Sequence, residues 1–317
     1  MLAPDLATAL RCRPAELVNV AEPVWDRLVA AFHGGEHAES FATAFANGRA
    51  FLAAPDALRS RPPRLLEWKG PHRPPGDDVI PADLRIDHVY LVSCKYLSKV
   101  LSNPSPQRLF DRLLVGDHRS SENWFVTVAP GEFQAFYRAA SAAAGLDGLP
   151  AHVSSLGRDQ QRLLKAAYSA RLLPADLRAD WGELCAAVAT RSAARWRGAM
   201  ASPRERLRLL WRLLRISSAS YFVLGTDRRN SLRFRVDSAW DWVQAYELVE
   251  LAVAPRPSGQ PEVGWRAMVR RRADGQEHPV DGHIEIRWSH GRFVGSPEAK
   301  VYLDTAHELV PGYNPLQ

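Results

Sequence analysis

At 317 residues, with 46% apolar and 24% charged side chains, the chain can bury one large or two modest cores, and its composition is that of an ordered protein and excludes a disordered one. A formal net charge of +6 suits a polyanionic partner. Three scattered cysteines (Cys12, Cys94, Cys185) exclude a disulfide framework, and no stretch reaches the ~18 uninterrupted apolar residues of a membrane span, so a cytoplasmic protein away from membranes is expected.

Residues 1–35 predict helix, with Leu17, Val20, Trp25, Leu28 and Val29 as the apolar face. Ala38 to Leu52 predicts a second helix, because Phe41, Phe45 and Leu52 recur near the helical period. Arg64 to Lys69 reads as a short strand, followed by a Pro/Gly-rich loop from Gly70 to Gly76. The stretch from Pro81 to Lys95 then reads as two strands joined by a tight Asp87-His88 turn. Pro106 to Leu114 predicts a helix with proline in its first turn. Asn123 to Ala129 reads as a strand by its aromatic and β-branched content, and Gly131 to Ala144 as a helix.

The hairpin carries the most chemistry. Asp83 opens its first strand and Lys95 lies near the end of its second, so antiparallel pairing brings both to one end of the sheet. A carboxylate beside an ammonium at a sheet edge can gather a divalent metal, a phosphate and an attacking water. Period-two alternation puts Ser93 and Lys95 on one face and the Cys94 side chain on the other, in the core.

The spacing of Asp83 from Ser93-Cys94-Lys95, together with the order of elements over residues 36–145, resembles the PD-(D/E)xK nuclease superfamily, the fold of many type II restriction endonucleases. Ser93 stands where that family usually carries an acid. The resemblance implies an α/β (α+β) fold whose core runs helix, three-strand meander, helix, strand, and a Mg²⁺-dependent DNA endonuclease activity in which Mn²⁺ can substitute. It implies metal ligation by Asp83, by the backbone carbonyl of Cys94 and by a carboxylate from Glu67 or Glu39, with Glu36 competing with Glu39. Asp83, Ser93, Lys95 and Glu39 would be the catalytic set: Lys95 orients the water or stabilises the transition state, and Ser93 at most hydrogen-bonds a metal-bound water. Double-stranded DNA, a homodimer and a cognate methyltransferase or defence-system partner are the implied partners, and restriction or phage defence the implied role. With the acid missing, an inactive DNA-binding or scaffold protein, or an RNA-directed accessory nuclease, is the alternative.

Beyond this core the chain is helical over about 151–216 and strand-rich from 217 to 317, so residues 1–150 are expected to hold the nuclease-like core, with a helical insert and a β-rich C-terminal region for DNA recognition. The segment from Pro203 to Ile216 is amphipathic, with Leu207, Leu210, Trp211 and Leu214 apolar and Arg204, Arg206, Arg208, Arg212 and Arg215 decorating it. Arginine suits phosphate and guanine forks, so Arg228, Arg229, Arg233, His290 and Arg292 are the expected DNA contacts. Asp281 with Glu298-Ala299-Lys300 is a second triplet that keeps the acid, but Gly295-Ser296-Pro297 puts Glu298 at a strand start, against its being the site.

Overall fold

Asp87 and His88 both adopt left-handed backbone conformations (φ 50° and 60°), which reverses the chain tightly between two strands. Asp87 also accepts from the backbone N–H groups of Arg64 (2.8 Å) and Leu65 (2.9 Å), clamping the preceding strand to the turn. In the computed structural model, residues 3–11, 16–69, 82–96, 100–111, 123–170, 172–219, 221–226 and 231–316 are described. The Gly70–Gly76 loop, Asp78, Cys12, Arg228 and Arg229 lie outside them.

The described chain is mixed α and β. It runs α1 (Leu6–Arg11), β1 (Glu16–Val18), α2 (Glu22–His33), α3 (Ala38–Ala53), β2 (Leu65–Trp68), β3 (Leu84–Ile86), β4 (Tyr90–Tyr96), β5 (Val100–Ser102), α4 (Pro106–Phe110), α5 (Trp124–Val128) and α6 (Pro130–Ala144). There follow α7 (Arg158–Ala167), α8 (Arg178–Ala199), α9 (Pro203–Leu213), β6 (Tyr221–Thr226), β7 (Ser231–Val236), α10 (Ala239–Ala245), β8 (Tyr246–Arg256), β9 (Glu262–Arg271), β10 (Glu277–Arg287), β11 (Glu298–Leu303) and β12 (Tyr313–Pro315).

Two sheets result. The first has the order β1-β2-β3-β4-β6-β7-β12 and the second β5-β11-β10-β9-β8. In the first, β2, β3 and β4 form an antiparallel meander and β6 lies parallel to β4. Its two faces are distinct. Phe222, Leu224, Val92 and Ile86 pack under Phe51, Ala54 and Leu58 of α3 and the turn after it. Tyr221, Val223, Phe234 and Val236 join the larger core built by α4 to α9 and the second sheet. Gly225 is required where β4 and β6 run side by side, because a Cβ there would meet the Lys95 carbonyl oxygen at 1.7 Å.

The strand expected over Asn123 to Ala129 is instead helix α5. Asn123 caps it by accepting from the Phe125 N–H at 2.9 Å. Trp124, Phe125 and Val128 are all buried, a pattern that a short core helix shares with an interior strand. The strand that follows the meander in the sheet is β6, after a long helical excursion. The start of the chain also differs from its all-helical expectation, since Glu16–Val18 pairs in parallel with β2.

Candidate functional site

Asp83 sits just before β3, yet its backbone continues the ladder: its N–H donates to the Val92 carbonyl (2.8 Å) and its carbonyl accepts from Lys69 N–H (2.9 Å). This pins the aspartate opposite β4. Its Oδ2 accepts from the Cys94 backbone N–H at 2.6 Å and from the Ser93 hydroxyl at 3.3 Å. Ser93 is only 2% exposed, so its hydroxyl needs such a partner. Ser93 and the Cys94 N–H therefore hold Asp83 in place.

Lys95 extends from the same face two residues on. Desolvation lowers its ammonium below the ordinary lysine value; the Asp83 carboxylate opposes this and the Arg215 guanidinium reinforces it. Arg215 was expected on the outside of a helix. Instead it lies just beyond α9 in a left-handed conformation (φ 64°), is 7% exposed, and donates to the Leu101 carbonyl of β5 at 3.2 Å. Burial raises the Tyr221 hydroxyl, while Arg215 and a hydrogen bond with Ser93 act to lower it. Tyr221 is thus a neighbour of the same cluster. Neither Arg215 nor Tyr221 was legible as a site residue, because 120 residues or more separate them from Lys95; Tyr221 arrives through the parallel pairing of β4 with β6, and Arg215 through the turn that ends α9 against β5.

Glu67 occupies the same sheet face as Asp83, Ser93 and Lys95, opposite Arg85 in the register and a diagonal neighbour of Asp83. Its carboxylate is taken up by two cations, Lys69 Nζ at 3.0 Å and Arg85 at 2.6 Å. Burial acts to raise its pKa, but the hydrogen bonds from Lys69 and Arg85 outweigh it and hold the carboxyl below the usual range. Glu39 is exposed in the first turn of α3, the helix that covers the opposite face. Cys94 points away from Ser93 and Lys95, as alternation requires, but it is exposed at the rim of a cavity and not part of the core. That cavity, about 490 Å³ between α3 and the sheet, is lined by Thr43, Asn47, Phe51, Leu66 and Val92 among others. Although Cys94 reaches solvent, the sheet and α3 around the cavity still desolvate its thiol and, with the Asp83 charge, push it up to about 11, so the side chain is a neutral thiol at pH 7.

No group of three or more His, Cys, Asp or Glu side chains able to hold a metal occurs among the described residues. The donors around Asp83 fit a divalent cation only as a site completed by substrate and water. Asp83 Oδ1 takes no hydrogen bond from the described residues. The Lys95 carbonyl faces Gly225 of β6, so the carbonyl of Cys94, one residue earlier, faces the Asp83 side. One carboxylate with a carbonyl, a substrate phosphate and waters is an arrangement Mg²⁺ accepts.

The second triplet is dispersed by register. Lys300 pairs with Glu285 and Glu298 with Arg287, which leaves Asp281 four residues from the Lys300 position, about 13 Å along β10. Glu298 is held by Asn103 (2.7 Å) and Ser289, at the start of β11 as expected. The described DNA-contact candidates are also apart. Arg233 donates to Asn47 Oδ1 (2.8 Å), Arg292 to the Tyr168 and Ala170 carbonyls (2.9 and 2.7 Å), and His290 is exposed in the β10–β11 loop.

Among the described residues no helix is long and apolar enough to cross a membrane. Comparison with family models, with curated proteins and with solved structures found no match for this chain.

Proposed function

We propose that the chain is a DNA endonuclease of the restriction-endonuclease-like kind, acting on phosphodiesters at the Asp83–Lys95 site in sequence-specific restriction or phage defence. One observation carries this reading: Asp83, at the head of β3, meets Ser93 and Lys95 on one face of the sheet at β4, which lies between antiparallel β3 and parallel β6 in a meander preceded by α3. Lys95 and Arg215 are cations held in a partly desolvated setting, where each donates more strongly to a phosphate oxygen than it would in water. Ser93 and the Cys94 N–H fix the Asp83 carboxylate so that its other oxygen stays directed and available.

Mg²⁺, or Mn²⁺ in its place, would be held by Asp83 and the Cys94 carbonyl and would supply a more acidic water and charge neutralisation. Lys95 grips the phosphate and Arg215 supports the charge that builds on it. A second reading, a protein that binds DNA without cutting it, is favoured by the commitment of Glu67 to Lys69 and Arg85, which leaves Asp83 without a second available carboxylate among the described residues. Incubation of the protein with plasmid and phage DNA, with Mg²⁺, Mn²⁺ or EDTA, separates the two. Discrete metal-dependent fragments that vanish in Asp83→Ala and Lys95→Ala support the nuclease; a shifted band with no cutting in any condition supports the binding protein.

A further inference from the structure

The arginines of the strand-rich C-terminal region, expected to meet DNA, are largely occupied. Arg256 pairs with Asp304 (2.7 Å), Arg266 with Asp281 (2.6 Å), Arg270 with Glu247 and Glu277 (2.9 and 2.8 Å), and Arg271 with Asp274 (2.6 Å). Helix α9 differs. Its start is fixed by a capping box in which Ser202 and Glu205 satisfy each other's backbone N–H groups, with Pro203 in the first turn. From that start, Arg204, Arg208 and Arg212 recur every four residues, each step rising about 6 Å and turning only about 40°. All three are exposed, and the buried Leu209, Leu210 and Leu213 hold the opposite side of the helix against the core.

No salt bridge engages Arg204, Arg208 or Arg212 among the described residues. The acid in electrostatic reach of Arg208 is Glu205, whose carboxylate already accepts from the Ser202 N–H and hydroxyl, both at 2.9 Å. Arg108 on α4 is a neighbour of the stripe: although the Arg212 side chain reaches solvent, partial desolvation on the protein side, then the Arg108 and Arg208 charges, depress its guanidinium. The like charges of Arg204, Arg208 and Arg212 along one helix face repel unless an anion joins them. Three residues past Arg212 the chain reaches Arg215, buried beside Lys95.

We infer that Arg204, Arg208 and Arg212, with Arg108 beside them, form a track for the phosphate backbone of double-stranded DNA that leads to the Lys95 site. This rests on the endonuclease reading of that site. The track supplies evenly spaced point contacts on a rigid helix, so it positions the duplex and reads no sequence.

The test is the anisotropy of a fluorescein-labelled duplex bound by the full chain in EDTA, titrated with salt. Each lost phosphate contact lowers the magnitude of the negative slope of log K against log salt by about 0.9. The triple variant Arg204→Gln, Arg208→Gln, Arg212→Gln should lose about that much per arginine, whereas Arg270→Gln on the second sheet should leave the slope unchanged. Because the three side chains are exposed, thermal melting of the variant should match the parent; should the triple variant not fold, Arg208→Gln alone gives a single step. An unchanged slope in the triple variant, or an equal drop in Arg270→Gln, overturns the track and leaves the endonuclease reading standing. Failure of the parent protein to bind any duplex, or binding to anionic vesicles in its place, overturns both.

Discussion

Both sheets carry rows of charged side chains, and they treat them in opposite ways. On the outer face of the second sheet, charges meet their opposites in open pairs: Arg266, paired with Asp281, has a side chain 69% exposed. On the first sheet, Glu67 and Lys69 are paired at 9% and 5% side-chain exposure, and Lys95 is desolvated beside a second cation. Open pairs contribute little to stability and are screened by salt, whereas buried charge is costly unless its partners hold it in place. A fold that keeps the buried Arg215 beside the partly desolvated Lys95 and Asp83 carries a cost that packing does not require, and such costs gather where a protein does chemistry.

The largest effect expected from breaking this contrast is on the backbone beneath the site. Gly225→Ala drives a Cβ into the Lys95 carbonyl and should cost about 3 kcal/mol or more in urea unfolding, because the obstructing atom is backbone. Removing one member of each kind of pair should then separate the sheets. Glu67→Gln removes the carboxylate charge that Lys69 and Arg85 share in a buried pair and should cost roughly 3 kcal/mol, whereas Asp281→Asn should cost under about 1 kcal/mol. Equal losses from the two would remove the distinction.

The pH dependence follows from the same pair. The folded-state pKa of Glu67 is depressed, so its contribution is present above the unfolded carboxyl value and is lost as pH falls through the folded one. The difference in melting temperature between the parent and Glu67→Gln should therefore narrow on acidification below that unfolded value. A smaller effect of opposite sign is expected at Lys95. Its ammonium is disfavoured in the fold, so Lys95→Met should raise stability, by the roughly 0.5–2 kcal/mol that relief of a functional site commonly gives. That gain should shrink as pH rises from the depressed folded value toward the ordinary lysine range, because the unfolded chain then binds more protons than the folded one. A Lys95→Met variant that melts below the parent would mark Lys95 as a structural ion-pair residue.

Local chemistry made the meander legible in the sequence. The Asp87-His88 turn, the alternation along β4 and the acid at the head of β3 each depend on neighbours within a few residues. The turn and the division of Ser93 and Lys95 from Cys94 therefore follow from the residues alone. The strand beside β4 was not legible, because Trp124, Phe125 and Val128 suit a core helix and a core strand equally, and Asn123 decides between them by capping. Arg215 was misread for a related reason. Helical spacing counts it with the outward arginines, while a left-handed residue at the helix end turns it inward. Glu67 was legible as a candidate carboxylate for the site, but the cations that occupy it come from Lys69 and from Arg85 across the β2–β3 ladder, and their pairing depends on register.

The most direct measurement compares turnover and binding of the same DNA by the parent protein and Lys95→Ala, with Mg²⁺ for cutting and EDTA for binding. Metal-dependent fragments are expected from the parent and at least a 10²-fold slower rate from the variant, as for the loss of one preorganised charge donor, with duplex affinity nearly retained. Undiminished cutting by Lys95→Ala, or binding of DNA by the parent with no cutting under any metal, would contradict the endonuclease reading of the Lys95 site.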